Sequence, residues 1–150
     1  HGSCTEFGGE LWVFIAASGT GKSTLAERFR KKGGHVLHDD RLAIRAVQEK
    51  FHVFPTPLTA DTLPCCAQVS RLFFLEQGSE NTLSQLSTEE AFPLLYRHSL
   101  FQNFKGSGLE QHLANLEQLM EKVPCFQLKA RHDDTVLDFL LAHFSDNETH

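Results

Sequence analysis

Apolar residues alternate along this chain between strand-like runs and helix-like spacing. Leu11 to Ala17 is a continuous apolar run, the pattern of a strand buried on both faces. Residues 3–7 before it form a short strand, and Gly8-Gly9 between the two is a hairpin signal. Ser18 to Gly21 reads as a loop. Lys22 to Lys32 reads as a helix with Leu25, Ala26 and Phe29 on its inner face, and Gly33-Gly34 suits a left-handed cap. His35 to His38 is a short strand that runs into Asp39-Asp40. Leu42 to Val47 and Phe51 to Phe54 read as two strands joined at Glu49-Lys50.

Pro55, Pro57 and Pro64 make residues 55–67 a loop, of a length that suits a segment closing over a substrate. Val69 to Leu75 is a strong apolar strand, Gly78 to Asn81 turns the chain, and Thr82 to Leu86 is a further strand. Ser87-Thr88-Glu89-Glu90 is a capping box that opens a helix to about His98. Leu109 to Lys122 is amphipathic, with Leu113, Leu116, Leu119 and Met120 inward. Pro124 ends it, and Phe126 to Ala130 is a strand. Asp133 or Asp134 caps a last helix, Thr135 to Phe144, and the polar tail 145–150 is expected to fray. Strands and helices alternate, but the hairpins argue for an α/β fold with a mixed sheet rather than a wholly parallel one.

Composition narrows the function classes. At 150 residues the chain fits one domain, 1–150, able to bury a core without metals or disulfides. Thirteen Phe against one Tyr and one Trp place most aromatic surface in that core. The net charge of -5 and the lack of a basic stripe give no case for nucleic acid. No apolar run approaches the roughly 18 residues of a membrane span, and no signal peptide is evident. Cys4, Cys65, Cys66 and Cys125 lack metal spacing and read as reduced thiols of a cytoplasmic protein. The scattered His residues make no zinc pattern.

The chemistry is carried by Ala16-Ala17-Ser18-Gly19-Thr20-Gly21-Lys22-Ser23, between an apolar strand and a helix. That context is what a P-loop requires. Gly19 and Gly21 let the backbone bend so that several N–H groups point into one hollow. The helix that follows adds its partial positive charge. Ser18, Gly19, Thr20, Gly21, Lys22, Ser23 and Thr24 are the expected nucleotide contacts. Lys22 meets the β- and γ-phosphates, and the Ser23 hydroxyl is the expected Mg²⁺ ligand. Asp39-Asp40 lies seventeen residues past Lys22 at the end of a strand. If that strand lies beside the strand that leads into the P-loop, both carboxylates face the phosphate hollow. One would hold Mg²⁺ and the other would take a proton from an attacking hydroxyl. The same His-Asp-Asp triplet recurs at 132–134, where it reads as a helix cap.

These residues resemble HPr kinase/phosphorylase and its shorter bacterial relatives, whose nucleotide fold is shared with phosphoenolpyruvate carboxykinase. His1-Gly2 through Ser23 is similar to the family's stretch from a His-Gly pair, through a hairpin, to the P-loop. Gly33-Gly34-His35-Val36-Leu37-His38-Asp39-Asp40-Arg41-Leu42 is similar to its R-G-H-R-L-x-x-D-D-R segment. The resemblance implies ATP, or a related nucleotide or pyrophosphate, with Mg²⁺. It implies Asp39 as the base on a seryl hydroxyl, Asp40 as a metal ligand, and His1 as an aid to the charge state of the aspartate. Arg41, in the D-D-R motif, is a candidate contact to phosphate or acceptor. It further implies a protein or peptide seryl acceptor, a homo-oligomer, and a segment preceding His1.

Three departures stand beside the resemblance. Ala16 replaces the usual first glycine, Phe54 stands where the short relatives often carry Gly, and the second signature of the full kinase has no counterpart. They keep open an alternative, a nucleotide-binding sensor or partner-binding module without transfer activity.

Overall fold

Strands β1 (Gly2–Phe7) and β2 (Glu10–Ile15) are joined by a tight turn at Gly8-Gly9. Both glycines have positive φ, 60° and 81°, which a type I′ turn needs and which a side chain would resist. The computed structural model describes residues 2–17, 22–40, 43–54, 68–98 and 107–148, with residues 22–23, 37–40, 107 and 145–148 described by their backbone alone. The expected loop 55–67, with Cys65 and Cys66, lies outside the described residues.

Helix α1 (Lys22–Lys31) ends where its sequence signal stands. The Gly34 N–H donates to the Phe29 carbonyl at 2.8 Å and the Gly33 N–H to the Arg30 carbonyl at 3.1 Å, a Schellman closure with Gly33 at φ 88°. Strand β3 (His35–Asp40) follows. Strands β4 (Ala43–Val47) and β5 (Lys50–Phe54) form a separate two-stranded sheet. Val47 pairs with Lys50, so the turn is Gln48-Glu49 rather than the expected Glu49-Lys50. Both residues lie at positive φ, 53° and 67°, without glycine. Lys122 Nζ donates to the Glu49 carbonyl at 3.1 Å and ties this turn to the end of the helix over Ser107–Lys122.

Strands β6 (Val69–Gln77) and β7 (Thr82–Leu86) lead to α2 (Thr88–His98). The expected capping box is formed: the Glu90 N–H donates to Ser87 Oγ at 3.2 Å, and the Ser87 N–H to Glu90 Oε1 at 3.3 Å. Helix α3 (Ser107–Lys122), strand β8 (Cys125–Ala130) and helix α4 (Thr135–Glu148) complete the order. Asp133 caps α4 by accepting from the Thr135 N–H at 3.0 Å. The helix runs one turn past Phe144, whose ring is buried against Trp12, Phe73 and Phe126 with centroids 5.2, 5.8 and 5.5 Å away. An anchor that late in the helix fixes a turn from which the next can propagate.

The main sheet is six-stranded, in the order β3-β1-β2-β6-β8-β7. Strands β2, β6 and β8 are parallel, β1 is antiparallel to both β2 and β3, and β7 is antiparallel to β8. The mixed sheet expected from the hairpins is present. One face packs Trp12, Phe14, Phe73 and Phe126 against Leu25 and Phe29 of α1 and Leu137, Leu140 and Phe144 of α4. The other packs Leu11, Val13, Leu72 and Phe74 against β5, α2 and α3. The expectation that phenylalanine serves the core holds at Phe14, Phe29, Phe51, Phe54, Phe73, Phe74, Phe126 and Phe144, all buried.

Two substitutions test the packing. Phe73 is fully buried and stacks on Phe14 at 4.9 Å, so Phe73→Ala is expected to lower unfolding stability by about 3–5 kcal/mol. Thr5 Oγ1 is buried and has no hydrogen-bond partner among the described residues, so Thr5→Val keeps the shape and removes an unmet polar group. Denaturant titration should show Thr5→Val unchanged or more stable by up to about 1 kcal/mol. A loss comparable to that of Phe73→Ala would contradict this account of β1.

Candidate functional site

The site is built on which strand ends share an edge. Strands β2, β6 and β8 are parallel, and β3 is parallel to them because β1 runs antiparallel to both β2 and β3. Their carboxyl ends therefore lie along one edge, together with the amino end of β1. In open α/β sheets this edge is where ligands bind.

Strand β2 delivers Ala16 and Ala17 to that edge, and α1 starts again at Lys22. The sequence-derived nucleotide residues Ser18, Gly19, Thr20 and Gly21 lie outside the described residues. Lys22, Ser23 and Thr24 form the first turn of α1, so the strand and helix that must flank a P-loop are both in place. Ala16 is buried in the cluster that also holds Leu25 and Phe29. Its methyl group thus belongs to the core beneath the strand–helix connection. Phe54, the second departure, is likewise buried at the end of β5, with the Arg45 guanidinium 5.8 Å from its ring centroid.

The condition that β3 lie beside β2 is not met. Strand β1 folds back along the edge of β2 and occupies that position, and β3 adds to the far side of β1. Two strand spacings, about 10 Å, separate β2 from β3. The register nevertheless brings their ends level. Gly2 pairs with both Ile15 and Asp40, and Ser3 pairs with both Phe14 and Asp39. Successive positions along a strand belong to opposite faces of the sheet. The row of Ser3, Phe14 and Asp39 belongs to the face that carries α1, and the row of Gly2, Ile15 and Asp40 to the other. The two aspartates thus hold successive rows at one end of the strand, and the expectation that their carboxylates face the phosphate hollow falls on side chains outside the described residues. Ser3 itself is buried. His1 and Arg41 lie outside the described residues. The chain neighbours of both, Gly2 and Asp40, are paired at this edge.

The same edge holds a feature that the sequence reading passed over. Leu25 and Arg28 of α1, Leu75 and Gln77 of β6, Ala130 to His132 after β8, and Val136 of α4 line a crevice between the two helices. Arg28 Nε and Arg131 Nε reach Asp134 and Asp133 at 2.9 Å each. Asn81 holds the connection, donating to Thr135 Oγ1 at 2.8 Å and accepting from the Arg131 N–H at 2.8 Å. Donation from the Thr135 hydroxyl and N–H, then the nearby Arg131 and Arg28 charges, hold the Asp133 carboxyl below its ordinary range. Asp133-Asp134 serves here as cap and counter-charge, which agrees with the cap reading of the repeated triplet. Arg28 and Arg131 carried no sequence signal, because residues distant in the chain meet only through the sheet order.

Other reactive groups are set aside by their surroundings. Burial pushes the Cys125 thiol up to about 11, far from a thiolate nucleophile at neutral pH. Among the described residues no three His, Cys, Asp or Glu side chains converge on a common point. Among the same residues, no helix is long and apolar enough to cross a membrane.

No protein-family model matches the chain, and no curated protein sequence does. Its fold is similar to that of the solved Hpr(Ser) kinase/phosphatase from Coxiella burnetii, with a TM-score of 0.56 over 99% of this chain and 96% of that one. The two share 7% sequence identity, so the likeness is one of fold, a distant relationship at the level of architecture.

Proposed function

We propose that this chain is an ATP- and Mg²⁺-dependent phosphotransferase that phosphorylates a seryl, or other hydroxyl, group of a protein or peptide in the cytoplasm. The observation that carries the reading is the register that levels the end of β2 with the end of β3 across β1, beside the first turn of α1. The motif at 16–23 between β2 and α1, and the fold shared with a kinase/phosphatase, support it.

In this reading the backbone N–H groups of residues 18–21 and the first turn of α1 receive the ATP phosphates. The Lys22 ammonium meets the β- and γ-phosphate oxygens. The hydroxyl of Ser23 and the carboxylate of Asp40 are hard oxygen donors of the kind that hold Mg²⁺ alongside phosphate oxygens and water. When bound, Mg²⁺ supplies neutralisation of phosphate charge. Asp39, in the row on the face of α1, accepts the seryl proton as that oxygen bonds to the γ-phosphorus. The bond from the γ-phosphorus to the bridging oxygen breaks, and ADP leaves. His1 and Arg41 flank the pair, His1 biasing the charge of Asp39 and Arg41 meeting the phosphate or the acceptor.

Transfer of labelled phosphate from ATP to a peptide pool tests the assignment, with ATP binding measured alongside. Asp39→Asn is expected to lower transfer about 10²–10⁴-fold and leave ATP binding nearly unchanged. Lys22→Ala is expected to weaken ATP binding itself by about tenfold or more. Equal transfer by the parent and Asp39→Asn would remove Asp39 as base. Tight ATP binding by the parent with no turnover on any hydroxyl would favour the non-catalytic nucleotide-binding module.

A further inference from the structure

A phosphate hollow at the start of α1 leaves open where the rest of the ligand lies, and the crevice between α1 and α4 supplies a place. Leu25 stands three positions after Lys22, less than a turn, or about 4.5 Å along α1. Ile15 pairs with Phe74, and β6 continues three positions further to Gln77, a rise of about 10 Å. The end of β6 therefore stands as a wall directly beside the chain that leaves β2. Beyond it, Arg131 and His132 follow the end of β8 and form the far lip.

The lining is of mixed chemistry. Leu25, Leu75 and Val136 make an apolar floor, and the exposed Gln77 amide offers both a donor and an acceptor at the mouth. The Arg28 side chain is only 16% exposed, whereas its partner Asp134 is 93% exposed. A largely buried guanidinium is thus neutralised by a carboxylate reaching in from solvent, and ligand oxygens can take over that role without leaving the cation unpaired. The crevice is small, about 20 Å³, room for one water or one exocyclic group rather than a whole ring. A flat ring would lie across the mouth, between Gln77 and the 131–132 lip, with a single amino or carbonyl group directed inward.

We propose that this crevice seats the nucleoside end of a nucleoside triphosphate whose phosphates lie at the start of α1. The inference rests on the phosphate-site reading above. It assigns Gln77 to the base edge, and Arg28 and Arg131 to the ribose or the ring face.

The test compares two ligands that share the phosphates and differ in the nucleoside. Calorimetric affinities of ATP and of inorganic tripolyphosphate, each with Mg²⁺, are measured for the full chain, Gln77→Trp and His132→Trp. Both positions are exposed, so both variants should fold. The parent is expected to bind ATP more tightly than tripolyphosphate. Each variant is expected to weaken ATP about tenfold while tripolyphosphate stays within about twofold. Unchanged ATP affinity in both variants, equal weakening of both ligands, or equal affinity of the parent for both would overturn the proposal and leave the phosphate site standing. Failure of the parent to bind either ligand would instead remove the phosphate site, and this inference with it.

Discussion

Strand β2 is paired along both edges and packed on both faces, and the arrangement of the candidate site depends on that confinement. It is antiparallel to β1 on one side and parallel to β6 on the other. Leu11, Val13 and Ile15 enter one core while Trp12 and Phe14 enter the other. A strand with no free edge and no solvent face cannot slip by one residue without exchanging its two apolar sets. Its carboxyl end is therefore fixed relative to the start of β1 and, through β1, to the end of β3. The tight Gly8-Gly9 turn sets this register at the opposite end of the hairpin. Asp39 and Asp40 come level with Phe14 and Ile15 because this register combines with that of β3 on β1, which shifts by one residue between Cys4 and Thr5.

Much of this was legible in the chain. The run Leu11 to Ala17 announced a doubly buried strand, Gly33-Gly34 a helix closure, and Ser87 with Glu90 a capping box, and each is present. These are local signals, in which one or two residues settle the backbone through their own conformational limits or side-chain hydrogen bonds. Strand order is not local. The Gly8-Gly9 hairpin signal placed β1 beside β2, but that β3 would add to the far side of β1 could not be read from either strand, since both carry mixed polar and apolar residues compatible with several neighbours. The two rows of Asp39 and Asp40 follow from that order together with strand alternation. The extension of α4 past Phe144 had the same origin: the polar residues after it read as a tail, and the aromatic contacts that hold its last turns come from β2, β6 and β8.

The electrostatics of the carboxyl edge are arranged by the same topology. Arg28 lies on α1 and Arg131 follows β8, and each is matched by one member of the 133–134 aspartate pair that caps α4. At the opposite edge Arg71 is paired with Glu10, while its guanidinium lies 4.1 Å from the Phe144 ring centroid and Trp12 Nε1 donates to Glu10 at 2.8 Å. That half-buried cluster joins the amino ends of β2 and β6 to the end of α4. It accounts for a charged pair set against an otherwise aromatic core.

The account stands on the start of α1 and the end of β3 acting as parts of one site. Amide hydrogen exchange of the full chain, with and without ATP and Mg²⁺, measures this at the residues concerned. The account expects slowed exchange in residues 16–24 and 38–41 together, at the same ATP concentration. Protection confined to one of these segments, or found only elsewhere in the chain, would contradict it.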